Sequence, residues 1–116
     1  MLIPQGIKLF LYNEPTDMRK SINTLMVLVS DTLQMNPASG HLFLFRNRYG
    51  DKLKALYYQP NCFTLWYRRL EKGKFIFPKD KQGQIEMSTE HFQWLLSSDK
   101  YTRLSAGEDK DYQHFY

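Results

Sequence analysis

Cysteine is almost absent from this sequence, which holds only Cys62 among its 116 residues. A single cysteine excludes a disulfide within the chain and any zinc site made of several cysteines. The role expected for a lone cysteine of this kind is that of a small, partly buried hydrophobic side chain. The fold must therefore be held together by an apolar core.

Long apolar runs are absent as well. The stretch from Leu25 to Val29 is bounded by polar residues on both sides, whereas a membrane-spanning helix needs roughly 20 consecutive apolar residues. The first six residues show no basic segment followed by an apolar one, which is the pattern of a secretory signal. We therefore expect a soluble cytoplasmic protein with no membrane partner.

Aromatic residues, in contrast, are abundant. Eight Phe, eight Tyr and two Trp make up 16% of the chain, beside 16 Lys plus Arg and 12 Asp plus Glu, a formal net charge of +4. A hydrophobic content of 42% is typical of globular proteins, and this length suits one domain. We expect a single domain over residues 1–97 and a flexible polar tail over residues 98–116, where apolar periodicity ends.

Hydrophobic periodicity predicts an α+β domain. Period-two patterns indicate strands, and apolar residues at helical spacing indicate a first helix from an N-cap at Thr16 or Asp17 to about Leu33. A short extended piece follows at 84–87, and Ser88 is predicted to cap a second helix. The predicted strands are Lys8 to Tyr12, His41 to Arg46, Lys52 to Tyr58, Phe63 to Leu70 and Lys74 to Phe77. We expect a small antiparallel sheet of about five strands built from two hairpins, with both helices packed on it.

Gly50 predicts the loop of the first hairpin, because glycine adopts a left-handed backbone conformation at no steric cost. A three-residue loop over residues 48–50 places Arg46 opposite Lys52. Since strand neighbours alternate between faces, this register defines the predicted core face. Its members are Phe43, Phe45, Leu53, Ala55 and Tyr57.

Gly73 predicts the second hairpin loop in the same way, over residues 71–73, with Arg69 opposite Phe75. One face of this hairpin is then mostly aromatic. The other face mixes cations with one large aromatic residue, and we expect it to be partly exposed. Its members are Thr64, Trp66, Arg68, Lys74 and Ile76.

Positive charge is concentrated in the predicted hairpins. Residues 41–81 contain ten Lys or Arg and three acidic residues, whereas residues 87–116 contain three basic and five acidic ones. Clustered cations with aromatic neighbours are typical of nucleic-acid surfaces. The same pattern also suits the solvent face and protected edges of a small sheet. Charge alone leaves both interpretations open.

Signatures of catalysis and of base-specific recognition are missing. The three histidines show no metal-ligand spacing, and no phosphate-binding loop or nucleophile elbow is present. The common RNA-binding motifs and a helix-turn-helix pattern are also absent. We expect no enzyme activity of its own, no cofactor, no metal and no sequence-specific base reading.

Several consecutive motifs nevertheless resemble one family. They are GIKLFL at 6–11, TDMRKS at 16–21, SGHLFLFRNR at 39–48, GDKLK at 50–54, and LWYRRLEKGKF at 65–75 followed by Pro78. In this order they resemble the small accessory proteins, products of the second reading frame, of the insertion-sequence-66 family of bacterial transposons. The resemblance covers Pro4 to Leu96. One departure is the run Tyr58 to Asn61, where the family usually shows a Trp-Asp-Gly type of turn.

The resemblance implies a part in DNA transposition, with cutting and joining performed by a separate, larger transposase. The implied partners are DNA, the transposase and the element's other accessory protein. It does not by itself supply a mechanism, so the residues leave two hypotheses.

The first hypothesis is a non-catalytic DNA-binding accessory that contacts phosphates through the cations of the hairpins. The residues predicted for this surface are Arg46, Arg48, Lys52, Lys54, Arg68, Arg69, Lys72 and Lys74, with Tyr49 and Trp66 as aromatic contacts. Arg19 and Lys20 could add to it, although Arg19 could instead pair with Asp17. The second hypothesis is an adaptor that docks on the transposase or on another accessory protein through Trp66, Tyr49 and Arg68.

Overall fold

The predicted α+β class is confirmed by the structure, a computed structural model that describes residue 3 and residues 5–97. Five strands form one sheet, and the two short helices pack on its opposite faces. The elements are β1 (Leu9–Pro15), α1 (Ile22–Val27) with a π-helical continuation (Leu28–Thr32), β2 (Leu42–Arg46), β3 (Lys52–Gln59), β4 (Cys62–Arg69), β5 (Gln84–Met87) and α2 (Thr89–Leu95). The predicted tail over residues 98–116 lies outside the described residues.

The sheet is mixed rather than purely antiparallel. Its strand order is β4-β3-β2-β1-β5, and β1 and β2 run parallel, with Leu9 opposite Leu42 and Leu11 opposite Leu44. All other pairs are antiparallel. Parallel neighbours need a crossover connection, and α1 with its continuation supplies it. The helix was predicted, but the direction of the following strand was not.

The predicted second hairpin is wrong. β4 pairs with β3 along its whole length, so Arg69 lies opposite Lys52 rather than Phe75. Residues 74–77 form no strand. The fifth strand is β5, which pairs with β1 through Leu9 and Met87. Phe75 is buried in the core instead, and its N–H donates to the Gly50 carbonyl at 2.8 Å.

The turn between β3 and β4 is made by Pro60 and Asn61, with Asn61 at φ 65°. Asparagine is one of the few residues that tolerate this left-handed conformation. Cys62 begins the edge strand directly after this turn and is exposed, not partly buried as expected.

The first hairpin forms, but its register differs by one residue from the prediction. Arg46 lies opposite Leu53 rather than Lys52. The loop is closed by a side chain, because Asn47 Oδ1 accepts hydrogen bonds from the N–H groups of Gly50 and Lys52, both at 3.0 Å. A slip of one residue moves every side chain of β3 to the other face.

Both faces of the sheet are therefore covered. On one face Leu42, Leu44, Leu53 and Ala55 pack under α2, whose contributions are Phe92, Trp94 and Leu95. On the other face Phe10, Phe43, Phe45 and Leu56 pack under the first helical segment, through Leu25, Val29 and Leu33. β2 has consequently no solvent face, and its first four residues are all buried.

The helices start where local hydrogen bonds satisfy their first turns. α1 has its N-cap at Ser21 rather than at Thr16 or Asp17, and the Thr24 hydroxyl accepts from the Ser21 N–H at 2.9 Å. For α2 the predicted cap is confirmed, since Ser88 Oγ accepts from the His91 N–H at 3.0 Å. Within the described ranges, neither helix has the length and apolar character that a membrane span requires.

Replacing Leu25 tests whether α1 is held by its buried face. Leu25 is fully buried against the sheet, whereas Val27 of the same helix is 57% exposed. We expect Leu25→Ala to lower the free energy of unfolding by about 2–5 kcal/mol through the cavity it leaves. Val27→Ala should change it by no more than about 0.5 kcal/mol. Urea unfolding of both variants measures this, provided that the slope of unfolding free energy against urea concentration is unchanged. Equal losses in the two variants would contradict the packing described.

Candidate nucleic-acid interface

The carboxyl ends of the two parallel strands lie side by side. Pro15 and Arg46 are register partners at the ends of β1 and β2, and the Thr16 N–H donates to the Arg46 carbonyl at 2.8 Å. Residues 16–20 and the loop 47–51 follow directly. In open sheets with parallel strands, ligands bind in the crevice outside these ends.

Loop 47–51 is held in one conformation from two sides. Asn47 Oδ1 binds its backbone as described above, and Asn47 Nδ2 donates to Asp51 Oδ1 at 2.7 Å. On the side of β4, the N–H of Leu70 donates to the Asp51 carbonyl at 2.8 Å. Gly50 has φ +89°, a conformation in which a side chain would be strained. The exposed Arg48 and Tyr49 are thus presented on a fixed support.

Two open clefts flank this loop. The upper cleft, of about 650 Å³, lies between the loop and residues 15–19, and Arg19 and Lys52 line it. The lower cleft, of about 370 Å³, lies between the loop and residues 75–82. Arg48 and Tyr49 line both clefts and therefore separate them.

The loop carries positive charge that is not neutralised by direct contact. Lys74 Nζ lies 4.3 Å from the centroid of the Tyr49 ring, and Tyr49 itself is 62% exposed. In the part of the chain that the structure describes, the ion pairs are Lys8–Glu86, Asp17–Arg19 and Arg69–Glu71. Arg48, Lys52 and Lys74 belong to none of them. We call the four residues Arg48, Tyr49, Lys52 and Lys74 the basic end.

Arg46, also predicted for the surface, is engaged inside the fold. Its Nε donates to Asn13 Oδ1 at 2.8 Å and its Nη2 to the Asn13 carbonyl at 3.0 Å. The guanidinium carbon lies 5.6 Å from the centroid of the Phe77 ring. Burial lowers the pKa of this side chain from its ordinary value. Arg46 thus joins β1, β2 and residues 75–78.

Lys54 is buried, with 9% of its surface exposed. In the observed register Lys54 lies on the face of Phe43 and Phe45. There its Nζ donates to the carbonyls of Met18 and Lys20, both at 2.7 Å. Burial lowers its pKa, and the Asp17 carboxylate opposes this shift. Its hydrogen bonds hold the segment before α1 to the sheet, so its ammonium group is not presented to solvent.

Trp66 is half-buried on the face covered by α2. Its ring packs edge-to-face against Phe92, with ring centroids 6.4 Å apart, and it belongs to the apolar cluster on that face. Arg68 is half-buried opposite Leu53. These two residues lie away from both clefts, whose lining does not include them.

The remaining predicted cations are exposed. Arg69 lies opposite Lys52 in the β3–β4 ladder and forms an ion pair with Glu71 at 3.4 Å. Lys72 is exposed in the loop that follows. Arg69 therefore extends the basic end along the sheet edge, although an exposed carboxylate accompanies it.

Asp17 and Arg19 form the pair that was the structural alternative for Arg19. Arg19 Nη2 donates to Asp17 Oδ2 at 2.7 Å, and the Arg19 N–H donates to Asp17 Oδ1 at 2.8 Å. The side-chain hydrogen bond from Arg19 is the largest cause that lowers the pKa of Asp17 from 3.8 to about 2. The pair is exposed and forms one wall of the upper cleft.

Two cleft cations, Lys79 and Lys81, were not among the predicted site residues. Both follow Lys74 to Phe77, a segment that was predicted to be a strand and forms none. In the structure Asn13 brings them to the site, because Asn13 Nδ2 donates to the Pro78 and Lys81 carbonyls at 2.6 and 2.7 Å. In the sequence, only the local excess of positive charge over residues 41–81 indicated Lys79 and Lys81. Across the described ranges, no group of three His, Cys, Asp or Glu side chains could hold a metal ion.

Comparison with known proteins assigns the chain to a family. The family model described as "IS66 Orf2 like protein" matches residues 7–106. This chain belongs to the IS66 Orf2-like family. Membership of this family indicates an accessory role in transposition, and the resemblance found in the sequence motifs is confirmed.

Two similar proteins of Sinorhizobium fredii (strain NBRC 101917 / NGR234) support the assignment to the IS66 Orf2-like family. The uncharacterized protein y4jC is 35% identical over 100 residues, 86% of both chains. The uncharacterized protein y4hO is 33% identical over 93 residues, 80% of this chain and 81% of its own. No solved structure matches the chain.

The contrast between Lys54 and Lys52 is testable. Lys54→Met leaves the carbonyls of Met18 and Lys20 without their donor, so we expect the free energy of unfolding to fall by about 1–3 kcal/mol. Lys52→Met removes a half-exposed cation without a described partner and should cost no more than about 0.5 kcal/mol. Chemical unfolding of the two variants measures the difference. The opposite order would contradict the register observed.

The Asp17–Arg19 pair predicts a pH dependence. The pKa of Asp17 in the folded protein is about 2, and its ordinary value is 3.8. The stability contributed by the ionised Asp17 carboxylate is therefore fully present above pH 3.8 and is lost as the pH falls through about 2. Carbon-13 NMR of the Asp17 carboxyl group should show this low pKa. In Arg19→Gln the pKa should return toward 3.8. An unchanged titration in that variant would show that Arg19 is not the cause.

Proposed function

We propose that this protein is a non-catalytic accessory factor of transposition that binds DNA through the basic end. The observation that carries the proposal is the cluster of Arg48, Lys52 and Lys74 around an exposed tyrosine, on a fixed loop, with no carboxylate paired to any of these cations among the described residues.

Cations in this arrangement bind phosphates without first breaking an ion pair. Neutralising DNA phosphates releases condensed counterions, which supplies the sequence-independent part of DNA affinity. Because Asn47 and residues 70–75 already hold the loop, little backbone entropy is lost on binding. The proposed surface includes Arg69 and Lys72 as exposed neighbours, whereas Arg46, Lys54 and Trp66 support the fold.

Phosphate contacts determine position on DNA but carry no sequence information. No helix lines either cleft, and the side chains of the basic end are three cations and one aromatic ring. We therefore expect affinity to fall steeply with salt and to depend little on base sequence.

A titration with labelled duplex DNA over a range of salt tests the proposal. Each phosphate contact contributes about 0.9 to the slope of log affinity against log salt. Arg48→Ala should lower affinity and reduce the slope by about one contact. Lys8→Ala is the control, because Lys8 is also an exposed cation but pairs with Glu86 and precedes β1, at the end of that strand opposite the basic end. Absence of binding to any DNA at low salt contradicts the proposal, and equal losses in both variants contradict the site.

An adaptor that docks on the transposase is the second candidate. Tyr49 favours it, since an exposed aromatic residue beside Arg and Lys is typical of the anchors of protein interfaces. Co-purification with the transposase that survives nuclease treatment, and is lost in Tyr49→Ala, would support the adaptor. Dependence of that complex on DNA would support the first proposal.

A further inference from the structure

The lower cleft combines aromatic side chains with a cationic rim. Tyr49 is the exposed aromatic residue of its lining, Phe77 is half-buried beside the Arg46 guanidinium, and the buried Phe75 and Pro78 complete it. Arg48, Lys79 and Lys81 also line it and are exposed. Its volume of about 370 Å³ lies in the range of small-ligand pockets, roughly 300–1,000 Å³.

The walls of the cleft are fixed before any ligand arrives. Asn13 is buried and holds the 78–81 segment through two short hydrogen bonds. The Arg46 guanidinium lies over the Phe77 ring. The one carboxylate that lines the cleft, Glu14, accepts a hydrogen bond from the Gly83 N–H at 2.7 Å. The backbone on this side of the cleft is therefore held by contacts within the protein.

We propose that the lower cleft binds one unpaired nucleotide of DNA, with the base against the aromatic wall and the phosphate against Arg48, Lys79 and Lys81. This inference rests on the proposed function, because it places DNA at the basic end. An isolated phosphate would gain nothing from aromatic walls, and an apolar side chain would gain nothing from three cations. A nucleotide uses both, since bases stack on aromatic rings and phosphates pair with cations.

The nucleotide must be unpaired because the base of a paired nucleotide is not free to enter a pocket. A paired base is stacked on both sides, so it reaches a pocket only when it leaves the stack or when it belongs to a single-stranded end. The neighbouring duplex then lies across Arg48 and Tyr49, which separate the two clefts. The basic end holds the backbone, and the lower cleft selects the unpaired end.

The test compares a blunt duplex with the same duplex carrying a single-stranded extension of either polarity, each with the full chain. The extension contains the fluorescent base 2-aminopurine, whose emission falls when it stacks on an aromatic ring. Base stacking on aromatic side chains predicts that the extended duplex binds at least about fivefold more tightly at equal salt. Binding should also quench the fluorescence of 2-aminopurine in the extension.

Variants assign the effect to the cleft. Tyr49→Ala should abolish both the preference and the quenching, whereas Tyr49→Phe retains the ring and should keep both. Tyr67→Ala, an exposed tyrosine outside the cleft, is the matched control and should keep both. If Tyr49→Ala and the milder Phe77→Leu each retain the full preference, the aromatic wall does not hold the base and the inference is wrong.

Failure of this inference is distinct from failure of the proposed function. Equal affinity for blunt and extended duplexes overturns the unpaired nucleotide while leaving DNA binding by the basic end intact. No binding to either DNA at low salt overturns both.

Discussion

The parallel pairing of β1 and β2 is the constraint on which the rest of the structure depends. Parallel neighbours cannot be joined by a tight turn, so the chain between them crosses one face of the sheet as α1 and its π-helical continuation. That crossing covers Phe43 and Phe45, while α2 covers the opposite face. It also brings Pro15 and Arg46 to the same edge. There the loop after β2 forms the upper cleft with residues 15–19 and the lower cleft with residues 75–82.

The cations near this edge divide into two groups by their hydrogen bonds. Arg46 and Lys54 are held by Asn13 and by two main-chain carbonyls, because a cation taken from water must regain acceptors inside the protein. Arg48 and Lys74 remain in solvent, where they keep their hydration and can exchange it for phosphate contacts. The charge excess of residues 41–81 therefore overstates the positive charge available to a ligand.

Local signals predicted most of the elements and some of their ends. Segments with period-two patterns form β2, β3 and β4. Ser88 caps α2 as predicted, and Gly50 has the positive φ expected of its loop. Predictions that required knowledge of a distant partner failed. Lys74 to Phe77 has a strand pattern, but Phe75 is buried and bonded to Gly50, and β5 pairs with β1 instead. The register error arose because Asn47 closes the loop with its side chain.

The sequence by itself determined the family, the α+β class and the concentration of positive charge before residue 82, since motifs, periodicity and charge are local properties of the chain. Only the tertiary structure decided which strands are neighbours and which cations face solvent. The physical reason is that an alternating pattern suits a strand beside any partner, whereas burial depends on register. The observed register places Lys54 inside the protein, whereas Arg48 and Tyr49 lie at the surface between the clefts.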